Sequence, residues 1–299
     1  MSSSMMMFLM MIFFSPLLSI MMNDWIFCWA LMEISMISLF PLLSSQSSKE
    51  AMMKYFLIQS LASVLLLIGG MLYFNIFEYK YTYYCLFLIG LSLKIGFFPG
   101  HFWVPSVMSS MSILSLFLLL GPMKFAPLAF FNLSFFLMPD MQYIILILAG
   151  MSSILGAIMG NNQTNVLSML GSSSISHSGW MLVAMCYNWL WWYFFVYLIV
   201  MMNFCFSMFY LNYFSMMMNI LSMSGIPPFL MFVLKMKVLM MLSFNFEYMM
   251  FLILIISSVF SLVFYMKFFF NFLMMVKKLQ KVSMMMFLII NISGVFILI

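Results

Sequence analysis

Charge is the scarcest property of this sequence, which has no arginine and only six acidic residues among 299. Charged residues make up 6% of the chain, hydrophobic residues make up 67%, and the mean hydropathy is +1.20. Soluble globular domains carry about 25% charged residues, so a water-soluble enzyme and a nucleic-acid-binding protein are both excluded. The chain is therefore predicted to be an integral membrane protein surrounded by the lipid bilayer.

Cysteine is also sparse, and its spacing argues against a metal or disulfide framework. The chain has four cysteines without CxxC spacing or companion histidines: Cys28, Cys85, Cys186 and Cys205. Clustered thiolates are what zinc and iron–sulfur sites require. A glycine-rich phosphate-binding motif is missing as well. The sequence therefore predicts that this chain binds no cofactor and no metal.

Long apolar runs recur along the whole chain, without the short alternating segments of a β-barrel. A transmembrane helix needs about 20 apolar residues. Ten polar or turn-forming breaks separate the runs, which predicts about eleven transmembrane helices in a single polytopic domain over residues 1–299. The first 24 residues have no lysine before their apolar stretch, which favours a membrane span over a cleaved leader.

The lysines in the predicted loops indicate an orientation in the membrane. Loops on the side opposite the N-terminus carry one lysine, Lys80, whereas the N-terminal side collects five: Lys49, Lys54, Lys277, Lys278 and Lys281. Basic loops stay on the side from which a chain inserts. With an odd number of spans, the N-terminus should face that compartment and the C-terminus the opposite one.

Four ionisable residues lie inside apolar runs, far from either predicted membrane surface: Glu33, Lys94, Lys124 and Lys235. An ionised side chain at the bilayer centre costs about 2.5–3.5 kcal/mol, so each is expected to face protein or water. Groups that can lose their charge when desolvated suit a proton or ion relay. The alternative is a set of structural ion pairs, or lysines whose ammonium groups reach nearby carbonyls.

Two glycine–proline elements accompany these lysines. LKIGFFPGHFWVP contains Lys94, and SGIPPFLMFVLK ends at Lys235. Proline removes an amide donor and leaves local carbonyls free. The elements fall in predicted spans four and nine, which run in opposite directions, as in inverted-topology repeats with interrupted helices. The predicted fold class is therefore an all-α integral membrane protein with antiporter-like repeats.

The chain has two histidines, His101 beside the Pro99 break and His177 among serines. Histidine carries protons near neutral pH, which makes both residues candidate accessory proton-transfer groups. Their neighbours in sequence include no second histidine, cysteine or carboxylate. Hydrogen-bonded structural roles are therefore the favoured interpretation for both.

Four segments, taken in order, resemble subunit 2 of mitochondrial NADH:ubiquinone oxidoreductase, the family of antiporter-like membrane subunits of respiratory complex I. They are LSLKIGFFPGHFWVPSVM, LLLGPMKFAPLAFF, GNNQTNVLSMLGSSSISHSGWM and SGIPPFLMFVLK. The resemblance covers most of the chain. It departs from the family at Ser106, where an acidic residue is usual, and at Leu167 and Ser168, where a basic pair is usual.

The resemblance implies a proton-translocating subunit of the mitochondrial inner membrane, with its N-terminus in the matrix and its C-terminus in the intermembrane space. Glu33, Lys94, Lys124 and Lys235 match the family's midplane proton-transfer residues by position. The leading hypothesis is that Glu33 and Lys94 form a switchable pair, that Lys124 passes protons along a hydrated midplane path, and that Lys235 connects to the next carrier or an exit. The implied partners are the other membrane-arm subunits of complex I. NADH, FMN, iron–sulfur clusters and ubiquinone are expected elsewhere in that complex, so this chain performs no redox chemistry.

Two other interpretations use the same residues. A free-standing cation/proton antiporter would need the same buried lysines and interrupted helices, and it would work without partners. A structural scaffold would fill the membrane arm only, so neutralising the buried charges would leave proton pumping intact.

Overall fold

A computed structural model describes residues 3–22, 24–46, 48–75, 80–227 and 229–276. Within these ranges the regular structure is helical, apart from turns, and contains no strand, which confirms the all-α prediction. The helices are α1 (Ser3–Met21), α2 (Trp25–Gln46), α3 (Lys49–Asn75), α4 (Lys80–Ile95), α5 (Trp103–Met108), α6 (Ile113–Leu120), α7 (Pro122–Leu137), α8 (Gln142–Asn161), α9 (Val166–Cys186), α10 (Leu190–Phe209), α11 (Tyr213–Ser224), α12 (Leu230–Phe244) and α13 (Tyr248–Met275).

Many of these helices have the length and composition of membrane spans. Six spans among the described residues are long and apolar enough: Trp25–Ser44, Lys49–Phe74, Ile113–Leu137, Gln142–Asn161, Leu190–Phe209 and Tyr248–Met275. Shorter apolar helices cover Met5–Met21 and Tyr81–Ile95. The predicted last span and the basic cluster of Lys277, Lys278 and Lys281 lie outside the described residues. The count of eleven spans therefore stays a prediction.

The chain divides into two compact units, residues 1–142 and 143–299. In the first unit, α1 packs on α2 and α3 packs on α4. Glycine makes the second of these contacts possible, because a methyl group at Gly69 would lie 2.8 Å from the Phe87 backbone nitrogen. Small residues let membrane helices approach closely where water supplies no hydrophobic driving force.

In the second unit, α9 carries a serine-rich surface that needs no water. Five serine hydroxyls of α9 each donate to the carbonyl three residues earlier in the same helix. These donors are Ser172, Ser173, Ser174, Ser176 and Ser178. In hydrocarbon a polar group must find its partner inside the protein. Helix α8 packs against this surface, and a methyl group at Gly156 would lie 2.4 Å from the Ser176 nitrogen. The serines therefore act as small packing residues.

Both predicted glycine–proline interruptions are present. Helix α4 ends at Ile95, and the chain turns through residues 96–102 before α5 begins. Helix α11 ends at Ser224, and α12 begins at Leu230. A third interruption, which was not predicted, occurs at Gly121 and separates α6 from α7 inside the predicted fifth span. Pro122 occupies the first turn of α7, a position that proline favours because its missing amide hydrogen is not needed there.

Candidate functional site

The first part of the candidate site is a buried ion pair between α2 and α4. Lys94 lies in the last turn of α4, and its ammonium group donates to a carboxylate oxygen of Glu33. The Lys94 and Glu33 side chains are 4% and 14% exposed. A helix C-terminus favours a cation, and a buried charge needs a partner because desolvation is unfavourable. The interruption after Ile95 therefore places Lys94 at a helix end and beside its counterion.

The second part is Lys124, which is buried in the first turn of α7. Within the described ranges, no carboxylate forms an ion pair with its ammonium group. This environment is the reverse of that of Lys94, because Lys124 lacks a carboxylate partner and lies at the positive end of a helix. The two lysines therefore differ in what stabilises their charge.

A small cavity lies beside both lysines. Lys94 and Lys124 line it together. The cavity has a volume of about 20 Å³, counted as the space that the centre of a water molecule can occupy. One water needs roughly 10–15 Å³ by the same measure. The structure thus brings Lys94 and Lys124 together around a space that can hold one or two waters, and Glu33 adjoins it through its ion pair with Lys94.

Three polar residues that line this cavity were missed by the sequence analysis. They are Ser35 on α2 and the buried Tyr55 and Gln59 on α3. Tyr55 and Gln59 are four residues apart, so they share one face of their helix. That spacing of polar residues within an apolar run was the available signal. Their hydroxyl and amide groups give water in the cavity additional hydrogen-bonding partners.

Trp103 explains how the chain after the interruption is held near Lys94. Its indole nitrogen donates to the Leu93 carbonyl at 3.0 Å. Its ring lies 5.8 Å from that of Tyr55 between centroids, and it lines the cavity. Trp103 therefore ties α5 both to the end of α4 and to α3, which closes the wall of the cavity.

His101 lies in the same turn but not on this cavity. Its Nδ1 is 3.2 Å from the Pro99 carbonyl oxygen. Its Nε2 is buried and makes no hydrogen bond to the described part of the chain. The residues that line the cavity do not include His101. The accessory role predicted for His101 therefore stays a prediction.

Lys235 belongs to the second unit, at its own interrupted helix. The ammonium group donates to the Ser224 carbonyl at 2.7 Å and lies 5.6 Å from the centroid of the Trp180 ring. Ser224 is the last residue of α11, where a helix has carbonyls without intrahelical partners and a partial negative charge. A lysine whose ammonium group reaches a nearby carbonyl was the structural alternative to a relay in the sequence, and this contact has that form. Within the described part of the chain, Lys235 is held by a neutral carbonyl and a ring, so it can release its proton without breaking an ion pair.

His177 lies at the centre of a buried aromatic cluster in the second unit. Its Nδ1 is 3.0 Å from the Tyr193 hydroxyl, and its Nε2 is 3.2 Å from the Tyr265 hydroxyl. Tyr193 lies on α10, 16 residues after His177, and Tyr265 lies on α13, 88 residues after it. Sequence proximity to His177 could not have revealed Tyr265.

Comparison with known proteins places this chain in a family. Residues 22–214 match the family model described as the transmembrane region of NADH:quinone oxidoreductase and Mrp antiporters. NADH-ubiquinone oxidoreductase chain 2 of Albinaria caerulea is 34% identical over 292 residues, which cover 95% of this chain and 94% of that protein. The chain belongs to the NADH-ubiquinone oxidoreductase chain 2 family. The resemblance predicted from the sequence motifs is therefore confirmed.

Solved structures share the family's fold. A chain of respiratory complex I from Thermus thermophilus with bound aureothin has a TM-score of 0.69 and 19% identity, covering 81% of this chain and 64% of that chain. A chain of the Mrp complex from Dietzia sp. has a TM-score of 0.71 and 16% identity, covering 82% of this chain and 56% of that one. The present family member thus spans about two thirds or less of the length of these chains.

Potential metal ligands are not clustered among the described residues of this family member. Among them, no group of three or more histidine, cysteine or acidic residues could hold a metal ion. Cys28, Cys85, Cys186 and Cys205 are free thiols. In the first unit, Lys94, Lys124 and Tyr55 lie beside space for water, and Glu33 is paired with Lys94.

Gly225 is expected to be essential to the Lys235 site. Its φ of +79° is strained for other residues, and a methyl group would lie 2.8 Å from Cδ and 3.0 Å from Nζ of Lys235. Gly225→Ala should destabilise the protein by about 1–3 kcal/mol, measured as a lower midpoint of thermal denaturation of the assembled protein. Gly150→Ala is the matched control, because Gly150 has no positive φ and its methyl group would meet side-chain atoms only, Cγ2 of Ile253 and Cε of Met250, each at 3.2 Å. Equal stability of the two variants would contradict the strain argument.

Proposed function

We propose that this chain is the proton-translocating, antiporter-like subunit 2 of the membrane arm of respiratory complex I, as a single polytopic domain over residues 1–299. Its relationship to chain 2 of NADH-ubiquinone oxidoreductase extends over 95% of its length, and its apolar helices have the length of membrane spans. It lies in the mitochondrial inner membrane, with the N-terminus in the matrix and the C-terminus in the intermembrane space. Its partners are other membrane-arm subunits.

The chain contributes proton transfer to an oxidoreductase complex, and it performs no redox chemistry of its own. NADH, FMN, the iron–sulfur clusters and ubiquinone act elsewhere in the complex. Quinone reduction there supplies the driving energy. The observation that carries the proposal is that Lys94 and Lys124 line the same cavity.

The proposed switch is the ion pair of Glu33 and Lys94. A unit charge about 7 Å from an ammonium group, at an effective dielectric constant near 20, changes its energy by about 2.4 kcal/mol. Such a change shifts a protonation equilibrium by a factor of about 50. Pairing and unpairing of Glu33 can therefore decide whether Lys94 holds its proton.

The proton then moves through water in the cavity. When Glu33 is neutralised by a proton, Lys94 loses its counterion and can release its own proton to a water in the cavity. Lys124 lines the same cavity and can take up that proton. Tyr55 and Gln59 provide hydrogen-bonding partners that keep the water oriented. The path thus needs no large movement of the backbone.

Lys235 is the proposed carrier of the second unit. Its ammonium group is bound to the Ser224 carbonyl at the end of α11. A proton on Lys235 is stabilised by the negative end of that helix. In the proposed path, Lys235 passes the proton to the next carrier or to an exit.

Lys124→Met tests this function. In assembled complex in membrane vesicles, protons pumped per electron should fall roughly tenfold, less than the 10²–10⁴ typical of a positioned proton-transfer group because water can bridge in part. Lys54→Met is the matched control, because the Lys54 side chain is 56% exposed and its Nζ forms a surface ion pair, 3.8 Å from Oε2 of Glu50. That variant should pump normally. Unchanged pumping in Lys124→Met would instead favour the scaffold interpretation.

The same preparation separates this proposal from a free-standing antiporter. The purified chain in liposomes should not exchange cations for protons, because its driving energy comes from the rest of the complex. Exchange by the chain alone, abolished in Lys124→Met, would favour the antiporter.

A further inference from the structure

The His177 cluster in the second unit joins three helices through two side-chain hydrogen bonds. Tyr193 of α10 lies 3.0 Å from Nδ1 of His177, and Tyr265 of α13 lies 3.2 Å from Nε2. The exposed fractions of His177, Tyr193 and Tyr265 are 2%, 1% and 0%. Buried polar groups are unfavourable unless they are hydrogen-bonded. The three side chains therefore form a connected polar line through an apolar region.

The chemistry of imidazole assigns opposite roles to the two tyrosines. A neutral imidazole has one nitrogen that donates and one that accepts. One tyrosine hydroxyl must therefore donate to His177 while the other accepts from it. In both arrangements the same pairs of atoms are hydrogen-bonded. Passing one proton along the line converts one arrangement into the other.

We propose that Tyr193, His177 and Tyr265 form a proton wire across α10, α9 and α13, an inference that rests on the proposed proton-translocating function. One proton arrives on the Tyr193 oxygen, and the hydroxyl proton of Tyr193 moves to Nδ1. The proton on Nε2 moves to the Tyr265 oxygen, and the hydroxyl proton of Tyr265 leaves to a water. One proton enters and one leaves, so the three side chains end with the same net charge as before.

The wire also limits each transfer to one proton. After a transfer, His177 is in the other tautomer, with Nδ1 carrying the proton and Nε2 accepting. A second proton cannot follow in the same direction until the ring nitrogens exchange roles. The cluster therefore acts as a gate that must be reset, which an open water channel would not provide.

Tyr197 is a natural internal control for this wire. It lies on α10, four residues after Tyr193, and is as deeply buried. Its ring centroid is 5.2 Å from that of His177. Its hydroxyl, however, makes no hydrogen bond to any described residue. Removing this hydroxyl changes the same cluster without breaking the line of hydrogen bonds.

The test uses Tyr193→Phe, Tyr265→Phe and Tyr197→Phe in complex assembled in membrane vesicles. Protons pumped per electron and the solvent deuterium isotope effect on NADH-driven quinone reduction are measured, each normalised to assembled complex. Tyr193→Phe and Tyr265→Phe should each lower pumping by at least roughly fivefold and change the isotope effect, because a positioned proton-transfer group contributes 10² or more. Tyr197→Phe should leave both quantities unchanged.

Several outcomes would overturn the wire. Normal pumping in Tyr193→Phe and Tyr265→Phe would do so, and so would equal losses in all three variants, which indicate packing. If the variants do not assemble, a density map of the unmodified complex decides: both hydroxyls within hydrogen-bond distance of His177 support the wire, and a hydroxyl turned away overturns it. Loss of pumping in Lys124→Met beside normal pumping in the tyrosine variants would overturn the wire and leave the proposed function standing.

Discussion

Lys94→Met is expected to reduce proton pumping by the assembled complex roughly tenfold or more. The substitution removes the cation that pairs with Glu33 and lines the cavity shared with Lys124. A proton-transfer side chain contributes about 10²–10⁴-fold to its step, and Lys124, the other lysine on this cavity, forms no ion pair with Glu33 in the described part of the chain. The measurement is protons pumped per electron in membrane vesicles, normalised to the amount of assembled complex.

The amount of assembled complex should also fall in this variant. Breaking a buried ion pair from one side costs about 3–5 kcal/mol, because the remaining charge has no partner. Lys237→Met provides a control in the apolar region, since the Lys237 ammonium group lies 5.1 Å from the centroid of the Trp189 ring and is not part of the cavity. That variant should pump and assemble normally. Pumping at the wild-type level per assembled Lys94→Met complex would remove Lys94 from the relay.

Combining Glu33→Gln with Lys94→Met should restore assembly without restoring pumping. Each single substitution leaves one charge unpaired in a buried site, whereas the double variant leaves none. Replacing both members of a buried ion pair by uncharged groups is often neutral or stabilising by about 1–4 kcal/mol. The pumping defect should persist, because neither position can then carry a proton as a charged group.

The double variant separates the relay from a structural role for the pair. Assembly is followed by native gel electrophoresis and thermal denaturation, and pumping by protons per electron. Recovery of both assembly and pumping would show that the pair serves stability alone. If assembly stays as low as in the single variants, unpaired charge is not the cause of their instability.

The sequence revealed the buried charges because each is surrounded by apolar residues. Glu33, Lys94, Lys124 and Lys235 stand out in runs that only a membrane or a protein interior can accommodate. The interruptions near Lys94 and Lys235 were predictable for the same local reason, since glycine and proline act on the backbone where they occur. The interruption at Gly121 has the same signal, a glycine followed by proline, and it could have been predicted.

The partners of these residues could not be predicted in the same way. The Ser224 carbonyl that binds Lys235 lies across the interruption, and a carbonyl has no sequence signature. Tyr265 contacts His177 from 88 residues away. The pairing of Glu33 with Lys94 was hypothesised from the sequence and is present, but no local pattern joins two residues that lie 61 positions apart in the chain. Each of these contacts depends on how helices cross and in which direction their side chains point.

Membrane location and helix content follow from the order of residues alone, because hydropathy and backbone preference add up along a continuous segment. The shared cavity of Lys94 and Lys124, and the line from Tyr193 through His177 to Tyr265, exist only once distant helices pack together. Their geometry is a matter of ångström-scale contacts between segments, and a proton passes only where donor and acceptor come within hydrogen-bond distance of each other or of a common water.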